Sequence, residues 1–328
     1  MPSTNRTIKS RTWLHVLLVG LAIWVAGIAA TAFTRDPVLI PGVFLTGSFL
    51  VPFSLLFWIF EESGWGKSKA RFPTALDPYR LLLAFATGGA LGVWCSALLE
   101  DLLVRIYALM YYLDVAVVEE SVKLILVWLL ARKLGSYSRR DGMLLGGAVG
   151  LGFSAFESAG YAFNATFSDH SINAVAILQT QVSRGLLTPV GHGLWTALVA
   201  GALFAAARDN RLRLSWNVVG WLLVAIGLHV FWDKAGGFSA ILAAWLTGEP
   251  VTSNLFLSAR LTDPSLLEGA YYATADTFLL CVDAAVGLLL GVRQWRKADR
   301  ELAASAPVET GTIASRGQHE SETPAESS

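Results

Sequence analysis

Apolar residues fall into runs of about twenty along this chain, separated by short stretches rich in Lys, Arg, Asp, Gly and Pro. As α-helix, such a run covers the roughly 30 Å of hydrocarbon in a bilayer. Backbone polar groups in lipid must be satisfied within their own segment or a closed barrel, so runs of this length mean helices. The pattern predicts an all-α, polytopic membrane bundle of about eight spans, near residues 12–33, 38–61, 79–100, 107–131, 142–164, 174–206, 215–236 and 275–293. The first span has the basic start and small-residue end (Ala29, Ala30, Ala32) of a signal peptide, but its apolar core exceeds the roughly 7–15 residues of a signal h-region, so it reads as an anchor. The sixth is overlong, and Pro189, Gly191 and Gly193 near its middle predict a kink or break.

The chain therefore divides into residues 1–78 (two spans and a basic loop), 79–236 (a polar-residue-bearing core), 237–273 (an extracytoplasmic loop), 274–300 (the last span) and 301–328 (a tail). Within the loop, Ala240–Leu246 is too short to cross and is expected to be re-entrant or interfacial. The tail holds Ser, Glu, Thr, Ala and Pro with almost no large apolar residue, which predicts disorder.

The loops test the span count. Eight spans put both termini on one side, together with Arg6, Lys9, Arg11, Lys67, Lys69, Arg71, Arg80, Arg132, Lys133, Arg139, Arg140, Arg208, Arg211, Arg213, Arg293, Arg296, Lys297 and Arg300. The other side receives Arg35, Arg105, Lys234 and Arg260. An asymmetry of eighteen to four obeys the positive-inside rule and predicts cytoplasmic termini. Composition agrees with the bilayer as the surroundings: 54% of the 328 residues are hydrophobic, 15% are charged, and mean hydropathy is +0.52. The formal net charge of zero gives no reason to expect a nucleic-acid partner. Cys95 and Cys281 lie in apolar runs without CxxC spacing and read as packing residues. No internal repeat of the kind found in inverted-repeat transporters is visible.

The informative residues are those least at home in hydrocarbon. Segment four carries Glu119, Glu120 and Lys123, segment five Glu157 and Tyr161, segment six Arg184, His192 and Thr196, and segment seven His229 and Asp233. An ionisable group costs about 2.5–3.5 kcal/mol at the bilayer centre on insertion scales and less near the helix ends, so some six to eight such groups left unpaired would cost roughly 15–20 kcal/mol together. They are expected to turn inward and meet. Glu119 with Lys123, Glu157 with Tyr161, His192 with Thr196, and His229 with Asp233 are all i, i+4 pairs, each on one helix face, so four polar stripes can enclose one pocket. The pairs also have structural readings: a glutamate neutralising Lys123, Arg184 as a counter-ion, Asp233 orienting His229.

Two chemistries suit the set. Zinc takes His nitrogen and carboxylate oxygen and lowers the pKa of its bound water to about 7, with a spare glutamate as general base. Without metal, a buried Glu can activate water directly with help from a neutral His. The chain has no GxSxG elbow, no cysteine beside a histidine and no HExxH helix.

Glu119-Glu120-x-x-Lys123, Phe156-Glu157-x-x-x-Tyr161, Arg184 followed by His192-x-x-Trp195-Thr196, and His229-x-x-x-Asp233 resemble, in order and in helix placement, the PrsW family of bacterial intramembrane proteases, over about residues 80–240. That family looks related to the CAAX prenyl proteases and the bacteriocin-processing group. Phe153-x-x-x-Glu157 has their FxxxH spacing with Glu in place of His, which leaves the metal question open. The resemblance implies a multi-pass protein of the bacterial cell membrane that cuts single-span membrane substrates, such as a membrane-anchored anti-sigma factor. It implies Glu119, Glu120, Glu157, His192 and His229 as the catalytic set, and Glu157, His192 and His229 as ligands if zinc is the cofactor. Lys123, Tyr161, Arg184, Thr196 and Asp233 take supporting roles. A proton-coupled transporter would use the same buried groups as a relay, and a non-catalytic scaffold would use them to hold helices together.

Overall fold

The computed structural model describes residues 11–64, 74–106, 111–167, 181–182, 184–185, 187, 189–259, 261 and 264–305. Among these the chain is helical and forms no strand. Helices α1 (Thr12–Thr34) and α2 (Ile40–Glu62) are joined by a 3₁₀ turn that Asp36 caps by accepting the Val38 N–H at 2.9 Å. The third pass starts at Asp77, whose side chain accepts the Arg80 N–H at 2.8 Å with Pro78 at the first helical position. It consists of α3 (Pro78–Thr87), a wide π turn over Gly88–Gly92, and α4 (Val93–Ile106). Then follow α5 (Tyr111–Ala131), α6 (Arg139–Phe167), a second π turn over Pro189–Gly193 leading into α7 (Leu194–Ala205), α8 (Trp216–Thr247), the short α9 (Ser253–Ser258) and α10 (Leu266–Ser305).

Among the described residues, five stretches are long and apolar enough to cross a membrane: Thr12–Thr34, Pro37–Glu62, Pro78–Leu103, Trp216–Thr247 and Leu266–Ser305. Helices α5 and α6 lie where the fourth and fifth spans are predicted but fall outside this set. Asp114, Glu119, Glu120 and Lys123 interrupt the first, and Glu157 with many glycines dilutes the second. Val190–Ala205, from the sixth predicted span, is apolar but short. Residues 174–180 of that span, the loop cations Lys67, Lys69 and Arg71, and 306–328 of the predicted tail lie outside the described residues.

The region after the seventh span differs from the expectation. Helix α8 runs on to Thr247, so Ala240–Leu246 continues it rather than forming a re-entrant or interfacial piece. Gly236-Gly237 lies inside this helix, and the bare Gly237 surface lets the Phe256 backbone of α9 pack against it. The helix stops at Gly248, which takes the left-handed conformation (φ 78°) just before Glu249-Pro250. Helix α10 likewise starts earlier than predicted, at Leu266, and extends to Ser305, five residues into the predicted tail.

Helix α6 is the centre of the bundle and packs against α2, α3, α5 and α7. Its close packing follows from Gly142, Gly146 and Gly150, one per turn along one face. A Cβ at these positions would collide with the backbone carbonyls of Ala200, Thr196 and His192 respectively. Small residues at this spacing let two helix backbones touch, the main means of tight association where lipid removes any hydrophobic drive between helices. At one end Arg140 binds Glu62 of α2 (2.7 Å) and Arg139 binds Glu301 of α10 (3.0 Å), tying three helices together.

The glycine contact should be intolerant of any side chain. Gly150→Val is expected to lower stability by about 1–3 kcal/mol through overpacking. Gly220→Ala in α8, where an added Cβ meets nothing within 4 Å, should be neutral or slightly stabilising. Thermal unfolding of the two variants in one detergent checks the contrast, and equal losses would show that the carbonyl contact is not tight.

Candidate active site

Four elements deliver the polar residues to one place. On α5, Glu119, Glu120 and Lys123 fall within one helical turn, so both carboxylates reach the same ammonium. Lys123 is fully buried, and its Nζ lies 3.0 Å from Glu119 Oε2, 2.9 Å from Glu120 Oε1 and 2.9 Å from His192 Nδ1. An ammonium has three N–H donors and no lone pair, so all three contacts are donated and Lys123 is saturated. The Phe153 ring lies 3.9 Å beyond, closing the remaining side with its π-face.

That saturation sets the histidine tautomers. His192 Nδ1 accepts from Lys123, so its proton sits on Nε2, which donates to Glu157 Oε2 at 3.0 Å. The same Glu157 oxygen accepts from Arg184 Nη2 at 2.6 Å. The Arg184 guanidinium in turn lies over the Tyr161 ring, 3.9 Å from its centroid. His229 donates Nδ1–H to Glu120 Oε1 at 3.1 Å. Its Nε2 has no partner at hydrogen-bond distance among the described residues; Asp233 Oδ2 is 3.6 Å away and Glu119 Oε2 is 3.8 Å away. Trp195 packs on both imidazoles, with ring centroids 5.2 Å from His192 and 5.0 Å from His229, and the two imidazoles are 5.0 Å apart.

His192 is delivered by the π turn Pro189–Gly193. Pro189 has no N–H and cannot close an ordinary helical turn, and such widenings are common where a helix re-aims a functional side chain. The kink or break expected near Pro189 takes the form of a π turn over Pro189–Gly193 that runs directly into α7. Thr196, predicted as a site residue, donates its hydroxyl to the His192 carbonyl at 2.8 Å and supports this turn from behind.

A half-open cavity of about 500 Å³ sits in front of the cluster. Glu119, Glu157, Tyr161, His229 and Asp233 line it, whereas Glu120, Lys123, His192 and Thr196 form the layer behind and do not. The two adjacent glutamates therefore have different surroundings. Sequence reasoning missed three polar groups on the cavity wall: Ser96 and Glu100 of α4, and Asn164 of α6. Glu100 sits where the third span is predicted to end, and a carboxylate there reads as the boundary itself.

A family model described as PrsW family intramembrane metalloprotease matches residues 77–257, more than half of the chain. No curated protein and no solved structure matches it.

That description raises the question of whether the residues fit a metal. Donor atoms of Glu119, Glu120, His192 and His229 all lie within 4.8 Å of one another. Two imidazoles and two carboxylates are a donor set that suits zinc. Glu157, expected as a ligand, stands outside this group, on the far side of the His192 ring and bonded to Arg184. Three of the four residues already give their donor atoms to the Lys123 ammonium, which stands in for a cation among them. Metal and ammonium therefore compete for the same atoms. Lys123→Met should remove the competitor and leave two buried carboxylates without a cation. Its melting midpoint should rise on adding zinc, because a ligand that binds the folded state stabilises it by mass action. The unsubstituted chain should respond much less, and an equal response from both would show that the ammonium does not bar the metal.

Proposed function

Since the chain belongs to the PrsW family of intramembrane metalloproteases, we propose that it cuts single-span membrane proteins with water activated by Glu119 in the cavity between α4, α5, α6 and α8. The observation that supports this is the division of the polar cluster into a cavity-lining set and a buried layer that holds that set in place. Glu119 faces the cavity and accepts a hydrogen bond from Lys123, so it keeps lone pairs for a water. It takes a proton from that water as hydroxide adds to the scissile carbonyl carbon. The tetrahedral intermediate then breaks its C–N bond as Glu119 returns the proton to the leaving amine. Tyr161 and Arg184 supply the oxyanion donors. His229, fixed by Glu120 on one nitrogen and facing Asp233 with the other, positions the water.

Glu157, which already accepts from both Arg184 and His192, orients these two rather than acting as base. If a metal is held by Glu119, Glu120, His192 and His229, it supplies Lewis acidity and a more acidic bound water.

We place the protein in the bacterial cell membrane with eight spans and both termini cytoplasmic, the catalytic core being residues 79–236. At 1.5 Å per residue, Glu119 lies about 12 Å along α5 from Tyr111 and Glu157 about 15 Å along α6 from Phe167. In that topology both helix ends are extracytoplasmic, so the cavity sits in the outer half of the bilayer. Substrates are then cut towards the outer end of their span, as suits a membrane-anchored anti-sigma factor that senses the exterior.

Two neighbouring substitutions separate the roles. Glu119→Gln should lower kcat by about 10²–10⁴-fold, the range for loss of a general base, and should lower stability as well because it takes one carboxylate from the buried Lys123 ammonium. Glu120→Gln should destabilise the fold more, because it breaks a buried ion pair, at a cost of about 3–5 kcal/mol, and also weakens the acceptor of the His229 Nδ1–H. The assay is cleavage of a panel of single-span bacterial proteins in proteoliposomes, read with the melting midpoint of each variant. Cleavage by Glu119→Gln at the unsubstituted rate would refute the assignment of the base.

A further inference from the structure

The cavity contains one carboxylate that the catalytic arrangement leaves over. Glu119 is paired with Lys123, Glu157 with Arg184, and Asp233 faces His229. Glu100 has no ion-pair or hydrogen-bond partner among the described residues, and its Oε1 is shielded from solvent. One turn earlier on the same face of α4, Ser96 also lines the cavity. It is 2% exposed, and its Oγ too has no partner. Two polar groups without partners thus lie one turn apart on α4 and line the same cavity as Glu119 and Glu157. A buried polar group without a partner is costly, and an ionisable one in a membrane helix more so. Such groups are expected to meet a partner that arrives with a ligand.

A partner that satisfies both must bring hydrogen-bond donors and, for Glu100, a positive charge. A peptide strand lying in the cleft supplies the first through its backbone N–H groups. A Lys or Arg side chain supplies the second, and its long aliphatic stem suits a half-open cavity in lipid.

Building on the functional reading above, we propose that Glu100 is a specificity-determining residue of the protease. It recognises a basic side chain near the scissile bond of a single-span substrate, while Ser96 accepts a backbone N–H beside it. In the proposed topology Glu100 is near the outer end of α4, so the basic residue lies at the extracytoplasmic end of the substrate's span.

The test uses single-span Leu/Ala peptides carrying one Lys, Gln or Glu at successive positions across the outer third of the span, bound to the full-length protein in nanodiscs. The unsubstituted protein should bind the best Lys peptide about 10-fold more tightly than the matching Gln peptide, with the Glu peptide weakest. In Glu100→Gln this preference should fall below about 2-fold, while Glu100→Asp, which keeps the charge on a shorter arm, should retain part of it. Equal binding of Lys and Gln peptides by the unsubstituted protein overturns the proposal whatever the variants do. So does an undiminished preference in a folded Glu100→Gln. Cleavage by Glu119→Gln is scored separately: activity there sinks the catalytic reading but leaves the binding preference standing.

Discussion

The contact on which the rest depends is the buried ammonium of Lys123 between Glu119, Glu120 and His192. Each of these groups alone would be expensive in hydrocarbon, and removing either side of a buried pair leaves an uncompensated charge worth several kcal/mol. Lys123 therefore cannot be satisfied by half of its partners. Meeting all three forces α5 against the π turn that carries His192. From there the hydrogen bonds continue without a gap: His192 to Glu157, Glu157 to Arg184, and Glu120 to His229. One network crosses α5, α6, the helix leading into α7, and α8. Its geometry leaves His229 Nε2 and the cavity-facing side of Glu119 available for chemistry.

Such a network needs helix backbones closer than ordinary side chains allow. The Gly142, Gly146 and Gly150 face of α6 and the carbonyls of α7 meet that need. At Gly150 the group touched is the His192 carbonyl itself, so the tightest helix packing falls at the residue that carries the buried imidazole. The Thr196 hydroxyl satisfies that carbonyl where the π turn loosens the helical pattern.

Much of this is legible in the sequence, for an identifiable reason. In a membrane, charge is so unfavourable that each buried ionisable residue announces itself, and i, i+4 spacing states which helix face it occupies. Glu119, Glu157, His192 and His229 are found that way. Helix ends are less legible. The seventh span is predicted to end at 236, whereas α8 runs on through Gly236-Gly237 to Thr247, and the α10 boundaries shift for want of a sharp stop signal. Glu100 is lost to the same ambiguity, since a carboxylate at the end of an apolar run marks either the membrane surface or a cavity. The ligand set is also beyond spacing alone. Glu157 looks as good a ligand as Glu119 until the tautomer of His192, set by Lys123 from another helix, aims its proton at Glu157.

The adjacent glutamates show the limit most clearly. Glu119 and Glu120 are identical in type and one residue apart, about 100° around the helix. That rotation is enough to put one on the cavity wall and the other in the dry layer behind it. Both accept from the same ammonium, so Lys123 does not distinguish them. The distinction comes from α8, whose His229 gives its Nδ1–H to Glu120 and leaves Glu119 without a second donor. A carboxylate held by two cationic or imidazole donors is a good anchor and a poor base, because each donor stabilises the charge that protonation would remove. The residue left with one donor and an open side is the one proposed as the base. The difference between the two glutamates is therefore set by α8, not by the helix that carries them.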